Sequence, residues 1–263
     1  MRQLIAILTM LTLVVVAGCA RTPPRGPGGA VHVGGTVPEL GDTAPHAWIG
    51  GHPYNHQVHG VDVSRWQGDL DWARMRQAGV SFAFIKSTEG GDHSDPMFRR
   101  YWAETRAAGI PRGAYHYYYF CRTGREQAEW FIRNVPRERG ALPPVIDLEW
   151  TASRTCPRRP PSAEVQREAA EFMDILHRHY GQRPIIYTTV DFYRDSALRN
   201  WREEFWLRSV AGHPNVVYPG QNWSFWQYTG TGTAPGARGN IDLNAFAGNR
   251  TQWAQWLARR SQR

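Results

Sequence analysis

From residue 59 onward, short apolar runs alternate five times with segments of helical period, and a chain can bury such an order only as a parallel sheet covered by helices. Strands are expected at His59–Ser64, Val80–Lys86, Arg112–Tyr119, Pro144–Trp150 and Ile185–Thr189. Between them, Trp72, Met75 and Ala78 repeat at helical spacing until Gly79, Phe98–Ala108 ends at Gly109, and a third helix covers Arg125–Asn134. Ser162 is expected to cap a long fourth helix, with Val165, Ala169, Phe172, Ile175, Leu176 and His179 on one stripe, that stops at Gly181. Three shorter strands follow near Phe205–Val210, Ser224–Thr229 and Ile241–Leu243, with little helix between them. A barrel is the compact closure of such a sheet, so the expected fold is α/β, an irregular TIM-like barrel of five βα units followed by three further strands. No internal repeat argues for a solenoid or propeller.

Ahead of that domain, residues 1–18 combine Arg2, an apolar run from Leu4 to Val16 and the small residues Ala17 and Gly18, the pattern of an export signal. Val16-Ala17-Gly18-Cys19 is similar to a bacterial lipobox, in which Cys19 would carry the lipid that anchors the chain to a membrane. Ala20 follows where Asp often marks retention at the inner membrane, so the expected location is the cell envelope, at the periplasmic face of the outer membrane. Residues 19–57 read as a Gly/Pro-rich tether with a reach of roughly 35 Å. Residues 58–263 are long enough for one well-buried core, hence a single domain and an expected monomer.

Beyond Cys19 the cysteines are Cys121 and Cys156, and an even pair in an oxidising envelope is expected to form one disulfide, with two buried thiols as the alternative. The net charge of +8 suits an acidic polymer. It is scattered, with no basic helix and no nucleic-acid motif, so no nucleic-acid partner is expected. Of the 31 cationic residues only Lys86 is a lysine, which singles out a compact ammonium at that position.

In barrels of this class the site forms where the strands end, so polar residues late in apolar strands are the ones to collect. They are Asp62, Lys86, Asp147, Glu149 and Asp242. Side chains alternate along a strand, so Asp147 and Glu149 share one face, about 6.5 to 7 Å apart at Cα, while Ile146 and Leu148 take the other. Two close carboxylates cannot both ionise freely, so one keeps its proton towards neutral pH and can protonate a leaving oxygen, as glycoside hydrolysis requires. Glu149, nearer the open end, is the expected acid; Asp147, Asp62 and Asp242 would orient groups or stabilise positive charge at the sugar ring. Tyr115, Tyr117, Tyr187, Trp226 and Tyr228 offer flat rings for sugar faces. No Cys-x-x-Cys pair, nucleophile elbow or phosphate-binding Gly loop occurs, and neither a metal nor a cofactor is expected.

Together these segments resemble glycoside hydrolase family 25, the Chalaropsis-type lysozymes or N-acetylmuramidases. The resemblance rests on Gly60-Val61-Asp62-Val63-Ser64 with Trp66-Gln67-Gly68, Ile85-Lys86-Ser87-Thr88-Glu89-Gly90 and Gly113-Ala114-Tyr115-His116-Tyr117. It continues through Asp147-Leu148-Glu149, Ile186-Tyr187, Phe225-Trp226-Gln227-Tyr228-Thr229 and Ile241-Asp242-Leu243-Asn244. It implies cleavage of the β-1,4 bond from N-acetylmuramic acid to N-acetylglucosamine in peptidoglycan glycan strands. It also implies Glu149 as proton donor within the cluster of Asp62, Asp147 and Asp242, and adds Glu89 beside Lys86 to the expected substrate contacts. Two departures stand out: Arg208, where the family usually has a small residue, and the segment Thr151–Pro161 with Cys156 and Arg158-Arg159. A non-catalytic peptidoglycan-binding lipoprotein and a hydrolase of another acetylated polysaccharide are the competing readings.

Overall fold

The computed structural model describes residues 38–151 and 153–263. The expected signal segment and Cys19 lie outside the described residues. In chain order the elements are β1 (Gly41–Asp42), β2 (His59–Val63), α1 (Trp72–Gln77), β3 (Val80–Glu89), β4 (His93–Ser94), α2 (Phe98–Ala107), β5 (Arg112–Tyr117), α3 (Gly124–Asn134) and β6 (Val145–Leu148). There follow α4 (Ser162–Tyr180), β7 (Ile185–Thr188), α5 (Val190–Asp195), β8 (Phe205–Arg208), α6 (Pro214–Val217), β9 (Phe225–Thr233), β10 (Ile241–Phe246) and α7 (Arg250–Arg260).

Eight strands close a ring. From β2 through β3, β5, β6, β7 and β8 to β9 each neighbour is parallel, and β10 completes the circle antiparallel to both β9 and β2. This is the expected barrel of five βα units and three further strands. Its walls are buried on both faces, which is why β6 reads Val145-Ile146-Asp147-Leu148 with every residue covered. Ile146 and Leu148 face outward into the helical layer with Phe131, Phe172 and Leu176, while Val145 faces inward with Phe82, Phe84, Ile185, Trp206 and Phe225. Those inner rings fill the barrel: Phe84 stacks on Trp206 at 4.6 Å, and Phe82 and Phe225 lie 5.1 Å apart. Gly60 is required beside them, because a Cβ there would sit 2.5 Å from the Phe82 ring and its carbonyl oxygen. α7, which the sequence reading does not anticipate, plugs the opposite end with Trp253 and Trp256 against Phe82 and Phe225.

Two boundaries differ from expectation. Ser162 is the first residue of α4 rather than its cap; Pro161 precedes it and the Ser162 hydroxyl donates to the Asp195 carbonyl at 3.1 Å. His179, placed on the buried stripe, is exposed. The larger difference is at the N-terminal side: residues 38–57, read as tether, pack on the barrel. β1 pairs with the end of β9, the Ile49 amide donates to the Ala211 carbonyl at 3.1 Å while the Ile49 carbonyl accepts from the His213 amide at 2.9 Å, and Trp48 stands edge-on to Trp226 at 5.4 Å. Local composition hid this, because the arm is rich in Gly, Pro and His and contributes one large anchor rather than a periodic face. Burial of that anchor against an aromatic cluster predicts that Trp48→Ala lowers the unfolding free energy by about 2 kcal/mol, read from urea denaturation; an unchanged midpoint would show the arm to be energetically detached.

Candidate active site

At the carboxyl ends of the strands lies a cleft of about 370 Å³ whose lining includes Asp62, Asp147, Glu149, Asp242, Lys86, Tyr115, Tyr117 and Tyr187. The barrel brings these together from separate strands. Asp147 and Glu149 come from β6 and the residue just past it, Asp62 from β2, and Asp242 from β10 directly across the β2–β10 ladder from Asp62. Tyr117 and Tyr187 flank Asp147 on β5 and β7 in register. Trp206 forms the floor, 4.6 Å from the Tyr187 ring.

Asp62 is held by a defined network. Its Oδ2 accepts from Gln227 Nε2 and from Asn244 Nδ2, both at 2.8 Å. The orientation of the two amides is fixed from behind, because Trp206 Nε1, which can only donate, reaches Asn244 Oδ1 at 2.7 Å, and the Tyr187 hydroxyl donates to Gln227 Oε1 at 2.9 Å. Lys86 Nζ bonds Glu89 Oε2 at 2.7 Å and lies 4.8 Å from the Tyr117 ring centre, and the Tyr119 hydroxyl donates to the other Glu89 oxygen. The lone ammonium of the chain is thus fixed within the field of Asp147.

The profile of glycosyl hydrolases family 25 matches residues 61–237, a span that contains three of the four acids. The chain belongs to that family. Lysozyme M1 of Streptomyces globisporus is 32% identical over 262 residues, covering 92% of this chain and 86% of that protein. YegX of Escherichia coli, uncharacterised, is 33% identical over 201 residues, 74% of this chain and 72% of its own. The solved structure of a family 25 glycosyl hydrolase from Bacillus anthracis aligns with a TM-score of 0.73 at 34% identity, covering 81% of this chain and 97% of that one.

In this family 25 domain the expected sugar contacts divide. Tyr115, Tyr117, Tyr187 and Lys86 line the cleft, whereas Glu89 stands behind Lys86 and does not. Trp226 and Tyr228 are corrected: both are fully buried on the outer face of β9. Strand alternation puts Gln227 inside and its two neighbours outside, where the 38–57 arm covers them. Trp226 Nε1 donates to the Ser209 carbonyl at 2.7 Å. His59 Nε2 donates to the His56 carbonyl at 2.9 Å, leaving its Nδ1 to accept from the Tyr228 hydroxyl at 3.1 Å. Sequence reasoning missed Trp66, Thr189, Trp206 and Gln227 on the lining, and Asn244 behind it. A signal existed for two of them: Gln227 interrupts an aromatic run, and Asn244 lies two residues from Asp242 on the same strand face. Trp66 sits on a turn at the rim, 76% exposed, with the Arg65 guanidinium 4.5 Å from its ring.

Around the cleft the loops after β5 and β6 are joined by the Cys121–Cys156 disulfide, with Cα atoms 5.7 Å apart, as the even cysteine pair implied. Arg158 reinforces the junction, donating to the Phe120 carbonyl at 3.1 Å while its fork grips Glu164. His116 is structural, buried between Thr88 at 2.8 Å and Gln127 at 3.1 Å, and burial pushes its pKa down to about 4. His52 and His56 have a spacing that two zinc ligands on an α-helix would use, but Pro53–Asn55 forms a 3-10 turn and His52 Nδ1 accepts from the Tyr54 amide. Among the described residues no group of three His, Cys, Asp or Glu side chains is arranged to hold a metal ion.

Each acid feels another. Burial and then Asp242 push Asp62 well above the ordinary carboxylate range, opposed by its two amide donors. Burial and then Glu149 do the same to Asp147, opposed by Lys86, and Asp147 Oδ1 has no hydrogen-bond partner among the described residues. Burial raises Glu149, with the Tyr117 hydroxyl and Arg208 pulling back, and raises Asp242 to about 6 against Arg208. A carboxyl whose folded pKa is raised costs nothing below its unfolded value near 4; the cost grows as pH climbs towards the folded value and is complete above it. Asp147→Asn is therefore expected to be more stable than the parent by about 1 kcal/mol at pH 7.5, with the gap closing near pH 3, in paired thermal melts. A gap independent of pH would assign the effect to packing.

Proposed function

We propose that the protein is a peptidoglycan muramidase that hydrolyses the β-1,4 bond from N-acetylmuramic acid to N-acetylglucosamine, with Glu149 as proton donor. The reading is carried by one observation: four mutually repelling carboxylates from three parts of a family 25 barrel line a single open cleft. Similarity to lysozyme M1 supports the same substrate class.

Burial holds Glu149 protonated beyond the ordinary range, so it can pass its proton to the glycosidic oxygen as the bond from C1 breaks. The positive charge that develops at the ring is met by the carboxylates of the cluster, of which Asp242, raised only to about 6, is ionised at neutral pH. Asp62 and Asp242 set the local field, and Asp62, gripped by two amides, is the least free to move. Water then supplies the hydroxyl at C1 and returns a proton to Glu149, which restores the enzyme. Tyr115, Tyr117 and Tyr187 give the walls flat apolar area with polar edges, suited to pyranose faces.

Attachment through a lipid on Cys19, at the periplasmic face of the outer membrane, is the finer part of the proposal and rests on Val16-Ala17-Gly18-Cys19 and Ala20. Mass spectrometry of the mature N-terminus should find a diacylated Cys19; an unmodified cysteine removes the anchor. For the chemistry, reducing-end release from purified peptidoglycan is expected to fall at least about 100-fold in Glu149→Gln while wall binding persists. Release at the parent rate would take Glu149 out of the mechanism, and a parent protein that binds but releases nothing would mark a binding protein.

A further inference from the structure

Four arginines among the described residues are sheltered from full exposure: Arg112, Arg183, Arg208 and Arg260. Three of them grip carboxylates. Arg112 reaches Glu138 at 2.8 Å, Arg183 reaches Glu203 at 2.7 Å and Arg260 reaches Glu204 at 2.8 Å. Arg208 is the exception. It ends β8 and lines the catalytic cleft beside Thr189 and Gln227, yet its side chain makes no ion pair within 4.0 Å and no hydrogen bond among the described residues. A guanidinium carries five donors in a rigid fork, and those of Arg208 face the open cleft, where water or an arriving ligand can claim them.

The acids do not satisfy it. Asp62, Asp242 and Glu149 all feel its charge, but none lies within ion-pair distance, so Arg208 balances the cluster without being locked to it. Its fork remains available to an anion that arrives in the cleft. The geometry points to Arg208 as a specificity-determining residue that binds the free lactyl carboxylate of a muramic acid whose stem peptide has been removed.

The inference rests on the muramidase reading and deepens it. Muramic acid carries its lactyl ether on the sugar ring itself, so this carboxyl reaches the cleft together with the ring. When a stem peptide is attached, the lactyl carboxyl is an amide and carries no charge. The nearest peptide carboxylate then lies about two residues out, roughly 7 Å from the lactyl group, and so away from the cleft wall. A guanidinium and carboxylate can pair through two parallel hydrogen bonds, a geometry an amide cannot match. The enzyme would accordingly favour glycan strands already stripped of peptide, and an amidase-type reaction would supply its preferred substrate.

The test compares soluble, uncrosslinked glycan strands that carry or lack stem peptides, with reducing-end release measured for the parent, Arg208→Gln and Arg208→Lys, each at its own pH optimum. The optimum is set separately because removing the cation also shifts the acids. Arg208→Gln is expected to lose about tenfold or more in kcat/KM on peptide-free strands and to stay within about threefold on peptide-bearing ones. Arg208→Lys, which keeps the charge and loses the fork, is expected to fall between the parent and Arg208→Gln on peptide-free strands alone. Equal losses on both substrates would overturn the inference and leave Arg208 as a general balance to the acids, and a larger loss on peptide-bearing strands would assign its partner to the stem peptide. If Arg208→Gln proves too unstable to assay, the Lys variant decides by the same ratio. A parent enzyme that releases reducing ends from neither substrate overturns the muramidase reading itself, whereas one that cleaves both with an unchanged ratio in the variants overturns only the role of Arg208.

Discussion

The structure turns on carboxylates being kept out of water at the mouth of a filled barrel. Ionised acids resist burial and resist one another, so a chain that places four of them together must counter both effects with groups fixed in advance. Asp62 receives two amide donors whose own orientations are set by Trp206 and Tyr187. Asp147 receives no hydrogen bond to Oδ1 among the described residues and depends on the field of Lys86, itself pinned by Glu89. The unequal support is what allows acids in one cleft to hold different protonation states, and that difference is the basis of acid catalysis.

Much of this was legible from the chain. Strand alternation puts Asp147 and Glu149 on one face, and the βα order places Asp62 and Lys86 at the end of the barrel where the cleft is found; Asp242 reaches it from the other direction, as the second residue of the antiparallel β10. What periodicity could not supply was the supporting layer. Gln227 and Asn244 act through contacts between strands far apart in sequence, and only the closed ladder from β9 through β10 to β2 makes them neighbours of Asp62. Periodicity does not reveal α7 because its buried face consists of little more than Trp253 and Trp256, too few positions to register as a stripe.

The two clearest misreadings have a common origin. A reading of residues 38–57 as tether leaves nothing to cover the outer face of β9, and Trp226 and Tyr228 then present as rings free to meet a sugar. Once the arm is packed, the same residues become its binding surface, with Trp48 against both and with His56, stacked on His213, meeting Trp226 edge-on as His213 does. Aromatic residues are ambiguous in sequence for this reason: the chemistry that suits a pyranose face equally suits an indole edge, and the occupant is decided by what else in the chain can reach.

Trp206 belongs to two systems at once. Its ring system is packed among Phe84 and Tyr187 in the interior, and its indole nitrogen begins the chain that ends at the Asp62 carboxylate. Volume and polarity are therefore inseparable at that layer: replacing the residue with another apolar side chain of similar bulk would preserve the filling yet release Asn244 to rotate. Redesign aimed at a sturdier barrel has freedom at Phe82 or Phe225 and stops one storey higher, where hydrophobic interior and acid chemistry share a single side chain.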